Sequence, residues 1–296
     1  MMALTPKRIL VPTDFSPASD CALTLARELA GPFEAEIHLL HVRTVVDHPI
    51  VSPEDLAEVE RILAMSDART QQALEKSTKG IDAPTYCHIK RGIAPADAII
   101  EAITEHNCDL VIMGTSGRRG LKRLMVGSVA KEVVHRSPVP VLTTQAETGG
   151  SFPPKKILVA YDSSEDSLQA VLLAAKWAQL LPAEITLLHA MEPITYPDFY
   201  AHYPPRENHM KRLSQQCQEA LAKVGTEHLR AVTHETAVIH AQAADGIANF
   251  ASTAEFDLVV LATRGLSGIA HALFGSVAER VVRLSEVPVL TVRGSS

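Results

Sequence analysis

Residues 127–143 read "GSVAKEVVHRSPVPVLT", and residues 275–291 read "GSVAERVVRLSEVPVLT". The offset between them is 148 residues. The same offset lays "KRILVPTDFS" (7–16) on "KKILVAYDSS" (155–164), with six of ten positions identical. It also lays "IHLLHV" (37–42) on "ITLLHA" (185–190), and "CDLVIMG" (108–114) on "FDLVVLA" (256–262). Between 114–143 and 262–291, fifteen of thirty positions agree. One register held over so many separate segments means a duplicated domain, not a short solenoid repeat. A chain of 296 residues suits two domains of roughly 150 residues each. The reading places them at 1–146 and 153–296. The junction "QAETGGSFPPKK" (145–156) has the Gly-Gly and Pro-Pro of a linker that then enters a strand.

Within one copy, apolar runs alternate with helical patterns. "RILVPT" is a short β-branched run and reads as a buried strand. "SPASDCALTLARELAG" follows, with Ser16 as a cap, Pro17 at the first helical position and Gly31 as a stop. "EIHLLHV", "TYCHIKRG", "DLVIMG" and "VPVLT" read as further strands. Between them run a long helix that starts at "SPEDLAEV" and ends at Gly80, then "APADAIIEAITEHN" and "GSVAKEVVHRS". Such alternation predicts βαβ units: an α/β fold with a parallel sheet covered on both faces and right-handed crossovers. Pro138, Pro140 and Pro288 lack N–H donors, which suits a last strand at a sheet edge. An apolar edge invites pairing, so the two copies are expected to join through their last strands as an intrachain pseudo-dimer.

Composition excludes several function classes. The chain is 46% hydrophobic, 21% charged and only 4% aromatic, so Val, Leu, Ile and Ala must fill the cores. A net charge of −6 without a long basic stretch argues against nucleic acid as the main partner. No apolar run reaches the roughly 18 residues of a membrane span. The N-terminus "MMALTPKRILVPTDF" lacks the apolar core of a secretory signal. Cys21, Cys87, Cys108 and Cys217 form no CxxC pair, so neither a zinc site nor a disulfide framework is expected, and a reducing cytoplasm fits.

The glycines mark a candidate site. Ligands of open α/β sheets bind outside the carboxyl ends of the strands. Gly114 ends "DLVIMG" there, and Gly127-Ser128 opens the next helix, whose N-terminus carries unpaired amides and partial positive charge suited to phosphate. Arg118, Arg119 and Lys122 add cations. Asp14, at the end of the first strand, faces the same crevice, where it accepts from ribose hydroxyls, helps hold a metal, or caps the next helix.

Gly114, two residues, Gly117, nine residues and Gly127-Ser128 resemble the ATP-binding signature of the universal stress protein family. "PTDFS" around Asp14 resembles that family's first strand end, and "PVPVL" its last strand. The resemblance runs over nearly the whole chain, twice. It implies five parallel strands in the order 3-2-1-4-5, and ATP with magnesium as the ligand. The residues it implies for contact with ribose, adenine and phosphates are Pro12, Thr13, Asp14, Val42, Met113, Gly114, Thr115, Gly117, Arg118, Gly127, Ser128 and Val129. In the second copy they are Asp162, Gly265, Gly275 and Ser276. That copy departs from the pattern. Ala262 replaces Gly114, Tyr161 replaces Thr13, and Leu266, Ser267 and Ala270 replace the three cations. The expectation is a binding first domain and a second domain that binds poorly, with Tyr161 filling the base or ribose space and Ala262 strained if its φ must be positive.

Other features carry less. His41 and His189 occupy equivalent places near the end of strand two and suit crevice packing. The stretch 189–209 gathers His and Tyr among prolines. Its spacing matches no zinc pattern, and its aromatic character suits a lid or a partner surface. No GxxxxGK[ST], GxSxG or HExxH motif occurs, and no nucleophile stands beside a base. The reading is therefore a cytoplasmic ATP-binding regulator of a stress response, with unnamed protein partners and room for a further homodimer. The rivals are an ATP hydrolase or nucleotidyl transferase on the same fold, and an interaction module without a nucleotide.

Overall fold

A computed structural model describes residues 5–44, 53–117, 126–146, 152–193, 207–264 and 276–294, with helix backbone alone at 53–60 and 207–209. The chain divides into two compact units, one spanning Pro6–Ala146 and the other formed by Glu147–Ser296 with the residues ahead of Pro6. The first contains β1 (Arg8–Pro12), α1 (Pro17–Phe33), β2 (Glu36–Thr44), α2 (Pro53–Ser77), β3 (Thr85–Gly92), α3 (Pro95–Glu105), β4 (Leu110–Gly114), α4 (Ser128–Arg136) and β5 (Val141–Thr144). The second repeats the pattern with β6 (Lys156–Ala160), α5 (Glu165–Leu180), β7 (Glu184–Met191), α6 (Glu207–His228), β8 (His234–His240), α7 (Ala243–Thr253), β9 (Leu258–Ala262), α8 (Ser276–Leu284) and β10 (Val289–Val292).

Strands of the first unit lie in the order β3-β2-β1-β4-β5, all parallel. Those of the second lie in the order β8-β7-β6-β9-β10, again all parallel. The duplication holds at single-residue register: Ile9 pairs with Ile37, and Ile157 with Ile185. Ile9, Leu10, Val11, Leu110, Val111 and Ile112 are all fully buried, with neighbours pointing to opposite faces. A strand buried on both faces needs an unbroken apolar run, and this is why these segments do not alternate with polar residues.

Each central strand is anchored at its entrance. The Lys7 and Arg8 amides donate to the Asp109 carboxylate at 2.9–3.0 Å. Lys155 and Lys156 do the same to Asp257 at 2.8 and 2.9 Å. An ion pair bridges the two helices of one face in each unit, from a different helical turn: Asp97 to Arg136 in the first, Asp245 to Arg280 in the second. Position 132, the first-unit counterpart of Arg280, is Glu132, which itself pairs with Arg136.

Three sequence expectations change at this level. Gly31 does not stop α1. The helix runs two residues further and closes at Glu34 in the left-handed region, φ 50°, whose N–H returns to Ala30 and Gly31 carbonyls. Pro138, Pro140 and Pro288 do not sit in the last strands but ahead of them, where no donor is required. Instead the Pro140 and Pro288 carbonyls accept from Val111 and Val259, both at 3.0 Å. β2 continues past Val42 to Thr44, so Val42 lies within the strand, paired with Lys90. Among the described residues, no helix is long and apolar enough to cross a membrane.

Candidate functional site

At the carboxyl ends of the first unit's strands, the chain leaves β1 through a tight turn. The Thr13 N–H continues the ladder to the Leu40 carbonyl at 2.8 Å. Asp14 Oδ1 accepts from the Ser16 N–H at 3.1 Å, an Asx turn. Phe15 between them has φ 60°, a conformation a bulky residue holds only where its surroundings dictate it. They do so here: the Phe15 N–H donates to Thr13 Oγ1 at 3.0 Å, and its ring lies 4.9 Å from that of His41. Ser16 caps α1 in a reciprocal box with Ser19. The helix cap is thus Ser16, and Asp14 shapes the turn in front of it.

His41 belongs to the frame. Its Nδ1 lies 2.8 Å from the Thr13 carbonyl oxygen. A carbonyl only accepts, so Nδ1 carries the proton. His189 repeats the contact to the Tyr161 carbonyl at 2.9 Å. The equivalence of these histidines reflects support of the β1–α1 and β6–α5 turns.

The glycines serve close approach rather than unusual backbone angles. Among the described glycines only Gly80 has a positive φ, 75°. A Cβ on Gly114 would lie 2.7–2.9 Å from Ala18 carbon and oxygen atoms, so this glycine lets the first turn of α1 settle on β4. A Cβ on Gly117 would lie 2.8 Å from Asp14 Oδ2. The segment after β4 therefore does face Asp14. Gly127 closes the loop: its N–H donates to the Thr115 carbonyl at 2.7 Å, and Thr115 donates to Thr144 at 2.8 Å. Gly127 is the N-cap of α4 in extended geometry, φ −62° and ψ 147°, and supplies no side-chain cap to the helix amides. Ser128 is exposed and Val129 half-buried at that end, while Pro12, Thr13, Met113 and Thr115 are buried beneath. The structure thus gathers Asp14, Gly117, Gly127 and Ser128 at one crevice. Val42 and Met113 are strand residues nearby in the sheet. Arg118, like Arg119 and Lys122, lies outside the described residues.

The second unit has the same frame around a cavity of about 400 Å³, a volume in the range of small-molecule sites. Tyr161, Asp162, His189, Ala262, Arg264 and Ser276 are among its lining residues. Asp162 Oδ1 accepts from Ser164 N–H at 3.0 Å, and Ser163 repeats the left-handed turn with φ 69°. Tyr161, expected to fill the base or ribose space, is one of the residues that line this cavity. Ala262 is not strained either, since its φ is not positive. Arg264, the counterpart of Ser116, brings a cation to the crevice, although the three cations of the first copy are replaced further along. The sequence reasoning passed over it; comparing positions 116 and 264 would have found it. Glu192, also on the cavity wall, accepts from the Ala243 N–H at 3.2 Å at the start of α7. Gly265 and Gly275, and the 194–206 part of the proposed lid, lie outside the described residues.

With this geometry in view, comparison with known proteins gives one answer. The model of the universal stress protein family matches residues 5–145 and again 153–293. Universal stress protein MJ0531 of Methanocaldococcus jannaschii is 32% identical over 142 residues, 47% of this chain and 82% of its own. A universal stress protein from Archaeoglobus fulgidus superposes with a TM-score of 0.64 at 20% identity, covering 97% of this chain and 98% of its own. Another universal stress protein, solved in complex with cAMP, is 25% identical, covering 48% of this chain and 99% of its own, with a TM-score of 0.34. Two matches of one family model over almost the entire length, on two units of identical strand order, mean that this chain belongs to the universal stress protein family and carries its domain twice.

Proposed function

We propose that the first unit binds an adenine nucleotide, ATP with magnesium, and that the chain acts as a cytoplasmic regulator of a stress response. The observation that carries this reading is the approach of Gly117 to Asp14, where any side chain at 117 would press on the carboxylate. Gly127 opens α4 beside it without a side-chain cap, so helix amides there are available to an anion. Asp14 supplies the carboxylate that a ribose or a hard cation seeks. Magnesium bound there would neutralise phosphate charge. The chain's own part is to orient the ligand through the Asp14 turn and the Gly117–Gly127 backbone.

The test is a thermal melt of the full chain with Mg-ATP. Ligand at a hundredfold its dissociation constant stabilises by about 2.7 kcal/mol. Gly117→Val is expected to abolish the shift while leaving the ligand-free melt nearly in place. No shift of the unaltered chain at millimolar ATP overturns the reading.

A second reading rests on the open cavity of the second unit and on Arg264 within it: that crevice takes a ligand as well, more weakly. Titration then gives two unequal equivalents, and Arg264→Ala removes only the weaker one. A single equivalent, unaffected by Arg264→Ala, rejects it.

A further inference from the structure

Away from both crevices, three histidines of the first unit converge. His38 is the third residue of β2, His88 the fourth of β3, and His106 follows α3 as its C-cap. Each offers a ring nitrogen, and these nitrogens lie within 4.8 Å of one another. Within the group, His38 Nδ1 and His88 Nε2 are 3.0 Å apart. The rings lie nearly parallel, with centroids 4.0 Å apart for His88 and His106, 5.2 Å for His38 and His88, and 5.4 Å for His38 and His106. His38 is 7% exposed, and the other two are half-buried. On its far side, His38 Nε2 lies 3.2 Å from Glu36 Oε1.

We propose that His38, His88 and His106 form a binding site for a divalent transition metal of the zinc class, with Glu36 orienting His38 from behind. Two nitrogens bound tetrahedrally to zinc at about 2.0–2.1 Å lie roughly 3.3 Å apart. One pair already meets that spacing, and the widest must close by roughly 1.5 Å, which rotation of the two half-buried rings about Cβ–Cγ supplies. Three imidazoles are a ligand set for zinc, copper or nickel rather than magnesium or calcium. Among the described residues, no fourth His, Cys, Asp or Glu joins the group, which leaves the remaining position to water. The Glu36 contact is the carboxylate–histidine arrangement that fixes which ring nitrogen faces a metal. With Nε2–H donating to Glu36, the Nδ1 lone pair of His38 faces the cluster. In the metal-free chain that lone pair accepts from His88 Nε2–H. On binding, this proton shifts to His88 Nδ1, which frees the His88 Nε2 lone pair for the metal.

The second unit provides an internal control. At the same offset it has Thr186, Thr236 and Ala254, although Glu184 matches Glu36. The site is specific to the first unit and independent of the nucleotide reading. Its test is zinc titration of the full chain, stripped with chelator and dialysed, against a chromophoric competitor. One tight equivalent is expected. His88→Gln and His106→Ala should each weaken it at least tenfold, Glu36→Gln 10–100-fold, and Thr236→Ala not at all. A tight equivalent that survives both histidine substitutions, or none in the unaltered chain, overturns the proposal. If a histidine variant does not fold, the cobalt-loaded unaltered chain decides. Intense visible bands of a four-coordinate ion are the expected result; the weak spectrum of the six-coordinate ion overturns the site.

Discussion

In the first unit the residue that ends β4 is Gly114, with Ala18 of α1 pressed against it; in the second, Ala262 ends β9 and Asp166 stands where Ala18 would be. Both units nevertheless keep the Asx turn, the left-handed residue after the aspartate, and the histidine held to the preceding carbonyl. The frame of the crevice therefore does not depend on the glycine. Gly114 answers to how closely one particular helix packs on one particular strand. The features that the proposed ligand would meet are separate from it: Gly117 against Asp14, and the glycine cap of α4. A motif that looks like a single device in sequence is two devices in space, one that packs on α1 and one that faces Asp14.

The comparison can be broken at several depths. The largest effect is expected in the shared core. Leu10→Ala and Leu158→Ala remove equivalent, fully buried side chains of β1 and β6, and each should cost about 2–5 kcal/mol in a denaturant melt. Losses that differ by more than that range would mean that the two units are not packed alike. Next comes Gly114→Ala. The added carbon meets Ala18 backbone, so overpacking of about 1–3 kcal/mol is expected. The reverse change, Ala262→Gly, should cost only about 0.5–1 kcal/mol, the usual penalty for glycine in a strand. Equal costs would show that packing on α1 is not what Gly114 serves. The smallest effect is a matter of reactivity. Cys108 is buried, and its thiol is pushed up to about 12, mainly by burial and then by Asp109. At pH 8 its thiolate fraction is about one part in ten thousand. Alkylation of the folded chain should label the half-buried Cys21 and Cys217 well before Cys108. Phe256, at the matching place in the second unit, shows that the position is a packing site. Early labelling of Cys108 would mean that its surroundings open.

Much of the fold was legible because it rests on signals local to the sequence. Apolar runs such as "RILV" and "DLVI", with helical patterns between them, specify strands and crossovers without any long-range knowledge. The constant offset of 148 residues made the second unit a copy of the first. The end of α1 was not legible, because a glycine and a proline within its last turn look like a stop. The helix continues since its final carbonyls are satisfied by Glu34 in the left-handed region. The crevice was legible to the level of Asp14, Gly117 and Gly127. What each glycine faces was not, since only coordinates show that Ala18 meets one and Asp14 the other. The histidine trio was illegible for a plainer reason. Its members stand at 38, 88 and 106, far apart in sequence, and β2, β3 and the end of α3 meet only once the sheet has formed.

The carboxylates that anchor the central strands have a consequence for how the chain is made. Lys7 finds its acceptor 102 residues later, at Asp109, and Lys155 finds Asp257 at the same distance. On the ribosome, β1 must therefore wait for most of its unit to emerge before its innermost pairing with β4 can form, and such distant pairing slows folding. By the time β6 begins its own identical wait, the first anchor has already been synthesised. Tandem domains of similar sequence are prone to misassembly; here the order of synthesis offers β1 its proper partner, Asp109, before the second copy's version, Asp257, exists.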